Sequence, residues 1–131
     1  MTMKRGCLAI ITENNKILLV KRANPPERHC WGLPGGSLLQ EELPSDAVVR
    51  ETSEETGLKV KALISYFPFK EKFHNKNDVL SYEFILYPIK CEIESGFLKA
   101  NDDAIDVGWF SLDDLPSQRV KNLDWLLTVI L

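Results

Sequence analysis

Residues 36–58 read GSLLQEELPSDAVVRETSEETGL, and the second half of this stretch, from Pro44 or Ser45 to Thr56, carries the marks of a helix. Pro44 suits a first turn, where its missing N–H has no partner to lose. Ser45 is an alternative N-cap, and Gly57 is placed to end the helix. Within it, Glu51, Glu54 and Glu55 stand at i, i+3 and i+4, which at about 100° per residue confines their carboxylates to one face. A like-charge i,i+4 pair costs about 0.2–0.5 kcal/mol, so either solvent dilutes this repulsion or a cation compensates it. On spacing alone, a solvated acidic face with Arg50 paired to Glu54 is the simpler reading.

Just before this stretch, Trp31-Gly32-Leu33-Pro34-Gly35-Gly36 suits a sharply turned backbone with no regular element. Further back, Lys4 to Ile11 and Lys16 to Arg22 are rich in Ile, Leu and Val around the turn-prone Glu13-Asn14-Asn15. They predict two strands joined by a hairpin. Ile17 to Val20 is apolar throughout, so this strand is expected to be central and covered on both faces. After the helix, Leu58 to Ser65 and Val79 to Ile89 read as strands, with Phe67 to Phe69 extending the first and a polar connection from Lys70 to Asp78 between them. Asp106 to Ser111 is a last short strand. Asn122 to Leu131 reads as a closing helix that turns Leu123, Trp125, Leu126 and Val129 or Ile130 inward. Interleaved strands and helices after a hairpin-like start point to an α/β protein with a mixed sheet and helices on both faces.

A chain of 131 residues with 44% hydrophobic composition is long enough for one core and short for two, so residues 1–131 are expected to form a single domain. Cys7, Cys30 and Cys91 are odd in number, far apart and free of C-x-x-C spacing, which argues against a disulfide framework or a zinc ribbon. The apolar run Cys7 to Ile11 ends in Thr12-Glu13-Asn14-Asn15, too soon for a membrane span or a secretory signal. No membrane association and a cytoplasmic location are therefore expected. A net charge of -3 without a basic stripe excludes long nucleic acid as a natural partner. It leaves room for a small phosphorylated ligand, provided that divalent cations bridge carboxylates to phosphate.

The wider array changes the weight of the acidic helix. Gly36, five residues, Glu42, seven residues, Arg50-Glu51, then Glu54-Glu55, Gly57 and the apolar Leu58 closely resemble the Nudix box, G-x5-E-x7-R-E-U-x-E-E-x-G-U, with U a bulky apolar residue. The lead-in Trp31 to Gly35 is similar as well. Thr52 departs from the pattern, standing where a large aliphatic residue is usual. Leu39 stands where glutamate is frequent, and Glu41 where glycine is.

The resemblance implies the Nudix fold, an α/β/α sandwich with a mixed sheet. It implies hydrolysis of a phosphoanhydride in a nucleoside diphosphate linked to another moiety, by attack of a metal-activated water on phosphorus. Magnesium is the implied cofactor, with manganese as a substitute, held by Glu51, Glu54, Glu55 and the Gly35 carbonyl. Arg50 and Glu42 would pair and hold these ligands in orientation. Glu51 is the first choice of general base and Asp103 the second, with Asp102 beside it and Glu92 and Glu94 as weaker alternatives for an extra acid.

Arg22, Gly35 and Gly36 are candidate substrate contacts, although an exposed arginine at a strand end explains Arg22 equally well. Phe67, Phe69, Phe73 and Tyr82 are candidates to stack a nucleobase, against the plainer reading that they are core. His29 and His74 lack ligand spacing. A small nucleotide is the expected partner, a homodimer is allowed, and (d)NTPs and ADP-ribose rank close together ahead of dinucleoside polyphosphates. The extended arginine-rich signature of the coenzyme A group is absent between Leu18 and Gly36. The rival from another class is a non-catalytic nucleotide sensor, which the intact glutamate array disfavours.

Overall fold

The computed structural model describes residues 2–74 and 80–131. Its strands are β1 (Thr2–Ile10), β2 (Thr12–Glu13), β3 (Lys16–Arg22), β4 (Trp31–Gly32), β5 (Gly35–Ser37), β6 (Leu58–Ser65), β7 (Phe69–His74), β8 (Leu80–Gly96) and β9 (Ala104–Ser111). Its helices are α1 (Pro44–Thr56) and α2 (Leu123–Ile130). A five-stranded sheet runs β5-β1-β8-β6, with β7 also on β8; a four-stranded sheet runs β2-β3-β4, with β9 on β3. The first sheet is mixed, because β1 lies parallel to β8 and antiparallel to β5.

Side-chain alternation along β1 and β3 builds two cores. Cys7, Ala9, Ile11 and Leu18 face one side, where they meet Ala47 and Val48 of α1 together with Val60, Ile89 and Cys91. Ile10, Ile17 and Leu19 face the other, where they meet Leu33 and then Leu123 and Leu126 of α2. A fully buried Leu or Ile contributes roughly 1.5–3 kcal/mol, so the doubly covered run Ile17 to Val20 is the apolar centre that its composition predicts. Helices therefore cover both faces.

The α1 boundaries follow from backbone chemistry. Leu43 is extended at φ -76°, ψ 145° and makes no side-chain cap, while Pro44 takes the first helical position. Gly57 closes the helix at φ 75°, donating its N–H to Ser53, a left-handed conformation that a Cβ would strain. Ser45 is thus inside the helix rather than its cap.

Several expectations need correction. The hairpin at Asn14-Asn15 joins β3 to the two-residue β2, not to β1, which instead crosses into the other sheet. Both asparagines have positive φ, 51° and 62°, as a tight primed turn requires. Trp31 to Gly36 contains two short strands, and the polar segment after Lys70 is largely β7, antiparallel to β8. Residues 75–79 of that connection lie outside the described residues, as do the side chains of His74 and Tyr82. On α2, Leu123 and Leu126 are buried as expected and, of Val129 and Ile130, it is Ile130 that packs against the core, whereas Trp125 is more than half exposed. Among the described residues no helix is long and apolar enough to cross a membrane.

Candidate functional site

Strand β5 and the last two turns of α1 face each other at the edge of the five-stranded sheet. Register places Gly35 opposite Leu8 and Gly36 opposite Cys7 on β1. The glycines are required by space: a Cβ on Gly35 would run into the Cys7 carbonyl oxygen, and one on Gly36 would come within 2.6 Å of the Glu51 carboxylate. Glu51 can lie against β5 only because Gly36 carries no side chain.

Glu55 is 6% exposed, and its Oε1 accepts a hydrogen bond from the Gly35 N–H at 2.8 Å. Burial is the main reason that its carboxyl is pushed up to about 8; Glu51 and Asp103 push the same way, against the Gly35 hydrogen bond and Arg22. Burial also raises Glu51, opposed by its hydrogen bond from Arg50. Glu54 and Glu55 occupy the last turn of α1, which has no basic residue. That is the negative end of the helix dipole, where carboxylates are disfavoured. The site thus concentrates negative charge where both the helix and burial oppose it, and functional sites are where such local rules are broken.

The guanidinium of Arg50 organises the outer side of this cluster. It donates Nε to Glu42 Oε2 at 3.0 Å and Nη2 to Glu42 Oε1 at 2.9 Å, a two-bond fork. Its Nη1 is shared by Glu51 Oε1 at 3.0 Å and Glu54 Oε1 at 3.1 Å, and Nη2 also reaches the Ser37 carbonyl. Hydrogen bonds from Arg50, and another from the Leu39 N–H, hold Glu42 down at about 2. The expected Arg50–Glu42 pair is present, and so is the plainer Arg50–Glu54 contact. With Arg50 bridging Glu51 and Glu54, no three described acids, imidazoles or thiols converge on one point.

A cavity of about 450 Å³ opens beside Glu51, Glu55, Gly35 and Gly36, and Arg22 and Asp103 line it too. Arg22 is anchored by its Nε to the Pro26 carbonyl at 2.8 Å. Asp103 accepts a hydrogen bond from Asn24 at 3.1 Å. Asp102 does not line the cavity; its charge is felt at Glu51. Glu92 and Glu94 are exposed on β8, with Glu92 opposite Lys61, and do not line it either. His29 is exposed in the 23–30 loop.

Of the aromatic candidates, Phe73 lines the cavity. Phe67 is 94% exposed, and Phe69 stacks edge-on against Trp125 at 5.2 Å. The sequence reading missed Phe84, which lines the cavity and meets Phe73 edge-on at 5.8 Å, and Asn122 at the start of α2. Phe84 sits within the strand-like run of β8, where nothing local separates a cavity residue from a core one.

The profile of the NUDIX domain family matches residues 2–128. The chain belongs to the NUDIX family. It is 43% identical over 109 residues to an ADP-ribose pyrophosphatase of Methanocaldococcus jannaschii, an alignment covering 82% of this chain and 61% of that protein. It is 30% identical over 116 residues to diphosphoinositol polyphosphate phosphohydrolase 3-alpha of Mus musculus, covering 85% of this chain and 65% of the relative. The chain thus spans less than two thirds of either relative's length. Among solved structures, a MutT NUDIX hydrolase from Burkholderia pseudomallei superposes with a TM-score of 0.75 at 29% identity, covering 100% of both chains. An ADP-ribose pyrophosphatase from Streptococcus suis superposes with a TM-score of 0.64 at 30% identity, over 88% of this chain and 78% of that one. The mixed sheet between α1 and α2 is accordingly the NUDIX fold.

Proposed function

We propose that this NUDIX chain is a divalent-cation-dependent pyrophosphohydrolase that splits ADP-ribose at its phosphoanhydride. The observation that carries the reading is one cavity lined by Glu51 and Glu55, by Gly35 and Gly36 of β5, by Arg22 and Asp103, and by the Phe73–Phe84 pair. Such a site can take an anionic diphosphate and an aromatic base together. The 43% likeness to an ADP-ribose pyrophosphatase supports that substrate ahead of (d)NTPs.

The donor set fits a hard cation. Glu51, Glu54 and Glu55 are oxygen donors crowded at the negative end of a helix, and Glu55 is buried with no cationic side chain bonded to it among the described residues. We assign Glu51, Glu54, Glu55 and the Gly35 carbonyl to hold magnesium, for which manganese substitutes. When bound, the cation neutralises the diphosphate and makes water a stronger nucleophile.

The chain's own groups supply the rest. Arg22, held by Pro26, offers its remaining guanidinium N–H groups to phosphate oxygens. Arg50 and Glu42 fix the acidic face of α1 from outside. Water attacks one phosphorus, a P–O bond forms, the bridging P–O bond breaks, and AMP and ribose 5-phosphate depart. The proton passes to a carboxylate oxygen of Glu51, with Asp103 as the alternative acceptor.

The test is a panel of ADP-ribose, (d)NTPs, NADH, diadenosine polyphosphates and nucleotide sugars, incubated with magnesium or with EDTA and resolved by chromatography. Magnesium-dependent AMP and ribose 5-phosphate from ADP-ribose, at the highest kcat/KM of the panel, is the expected result. Silence across the panel with metal-dependent nucleotide binding intact would make the chain a sensor.

A further inference from the structure

The loop that leaves β3 passes the cavity, and Ala23 to Glu27 line it. Within that run, the backbone of Glu27 needs a reason. Its φ is 59°, a left-handed conformation that is uncommon for any residue but glycine and costs free energy unless the surroundings impose it. The surroundings here are fixed on every side. Glu27 Oε2 accepts the Lys121 N–H at 2.7 Å, and the Glu27 carbonyl accepts the Cys30 N–H at 3.1 Å. The carbonyl of the preceding residue, Pro26, accepts Arg22 Nε–H at 2.8 Å. Beyond Glu27, the Lys121 ammonium stands 5.9 Å from the centre of the Phe73 ring, which meets Phe84 edge-on. A chain of contacts thus runs from the Arg22 guanidinium to the aromatic pair, with Glu27 as its middle member.

A carboxylate has two oxygens and only accepts hydrogen bonds. One oxygen of Glu27 is committed to Lys121; among the described residues, none donates to the other. A ligand that meets it must bring donors. A nucleotide presents its groups in the same order as the contact chain: phosphate, then ribose, then base. With phosphate at Arg22 and the base at the Phe73–Phe84 pair, the group left for Glu27 is the ribose, whose 2′- and 3′-hydroxyls are the donors that its free oxygen lacks.

Resting on the reading of the cavity as a nucleotide site, we infer that Glu27 binds the ribose of the nucleoside and selects a free 2′-hydroxyl over a 2′-deoxy or 2′-phosphorylated sugar. The 2′-hydroxyl donates to Glu27 Oε1, a charge-assisted bond that a deoxyribose cannot make. A 2′-phosphate sets anion against anion at the same oxygen, the discrimination a carboxylate exerts wherever it holds a ribose diol. The bond to Lys121 holds the carboxylate in place beforehand, so little side-chain freedom is lost when the sugar arrives. Ribonucleotides are thereby favoured over deoxyribonucleotides at the sugar, independently of the base and of hydrolysis.

The experiment is calorimetric binding of AMP, 2′-deoxy-AMP and adenosine 2′,5′-bisphosphate, with magnesium, to the wild type, Glu27→Gln and Glu27→Ala, alongside thermal melts. The wild type is expected to bind AMP about tenfold or more tightly than either of the other two. In Glu27→Gln the amide oxygen still accepts the Lys121 N–H, while an NH2 group replaces the free carboxylate oxygen. The melting temperature should therefore hold, the preference for AMP over 2′-deoxy-AMP should fall severalfold, and the exclusion of the 2′-phosphate should disappear. No AMP binding by the wild type, a wild-type ratio near one, or ratios unchanged in Glu27→Gln would overturn the inference. A Glu27 that only tethers the loop would lower the melting temperature in Glu27→Ala and leave the ratios of Glu27→Gln alone; if Glu27→Ala does not fold, Glu27→Gln decides. Absence of ADP-ribose hydrolysis with the expected ratios would refute the proposed activity and uphold this site, and hydrolysis with ratios near one would do the reverse.

Discussion

Gly35 and Gly36 are neighbours with different duties. At Gly35 an added methyl meets backbone, the Cys7 carbonyl, which has nowhere to go; at Gly36 it meets the movable end of Glu51. Gly35→Ala should therefore destabilise the fold by about 2–3 kcal/mol. Gly36→Ala should leave the melting temperature close to wild type while lowering kcat, because Glu51 is displaced. Melts and steady-state rates on the pair check this. Thr52 offers a contrast, since its hydroxyl is fully buried without a hydrogen-bond partner among the described residues. Removing an unsatisfied buried hydroxyl recovers its desolvation cost, so Thr52→Val should stabilise by about 1 kcal/mol. Thermal or urea unfolding reads the gain. The departure of Thr52 from the box pattern is thus a packing weakness beneath the acidic face.

At the scale of elements, α1 is braced to the loop before it by the Arg50–Glu42 fork. Glu42 is depressed to about 2 in the folded chain from an ordinary value of 4.5. A carboxyl with a lowered folded pKa contributes stability above its unfolded pKa and loses it as pH falls through the folded one. The melting-temperature difference between wild type and Glu42→Gln should therefore be largest above about pH 4.5 and shrink toward pH 2; a constant difference across that range would contradict the pairing. This helix was legible in the sequence because its determinants are local: Pro44 at the start, Gly57 at the end and acids at helical spacing. The β1–β3 hairpin was misread because strand partners are set by distant segments, and β1 finds its own in β8 and β5. Strand β7 was hidden by its polar alternation, which is how an edge strand covered on one face reads.

For the whole molecule, the two-sided core was foreseeable from the unbroken apolar run of β3, and the gathering of Glu42, Glu51 and Glu54 around Arg50 from the box. The rest of the cavity lining was not. Phe73, Phe84 and Asn122 come from β7, β8 and the start of α2, brought together only by the long β8 strand and the docking of α2. Residues so far apart in sequence leave no spacing to recognise, and each alone resembles a core or capping residue.

The most direct test of the account is AMP release from ADP-ribose by wild type and Glu54→Gln, each with magnesium and with EDTA. Glutamine keeps the size of Glu54 but is a poor ligand for a hard cation. The account predicts turnover by wild type in magnesium, none in EDTA, and a fall of roughly a hundredfold or more in Glu54→Gln with an unchanged melting temperature. Turnover in EDTA, or a wild-type rate from Glu54→Gln at limiting magnesium, would contradict it.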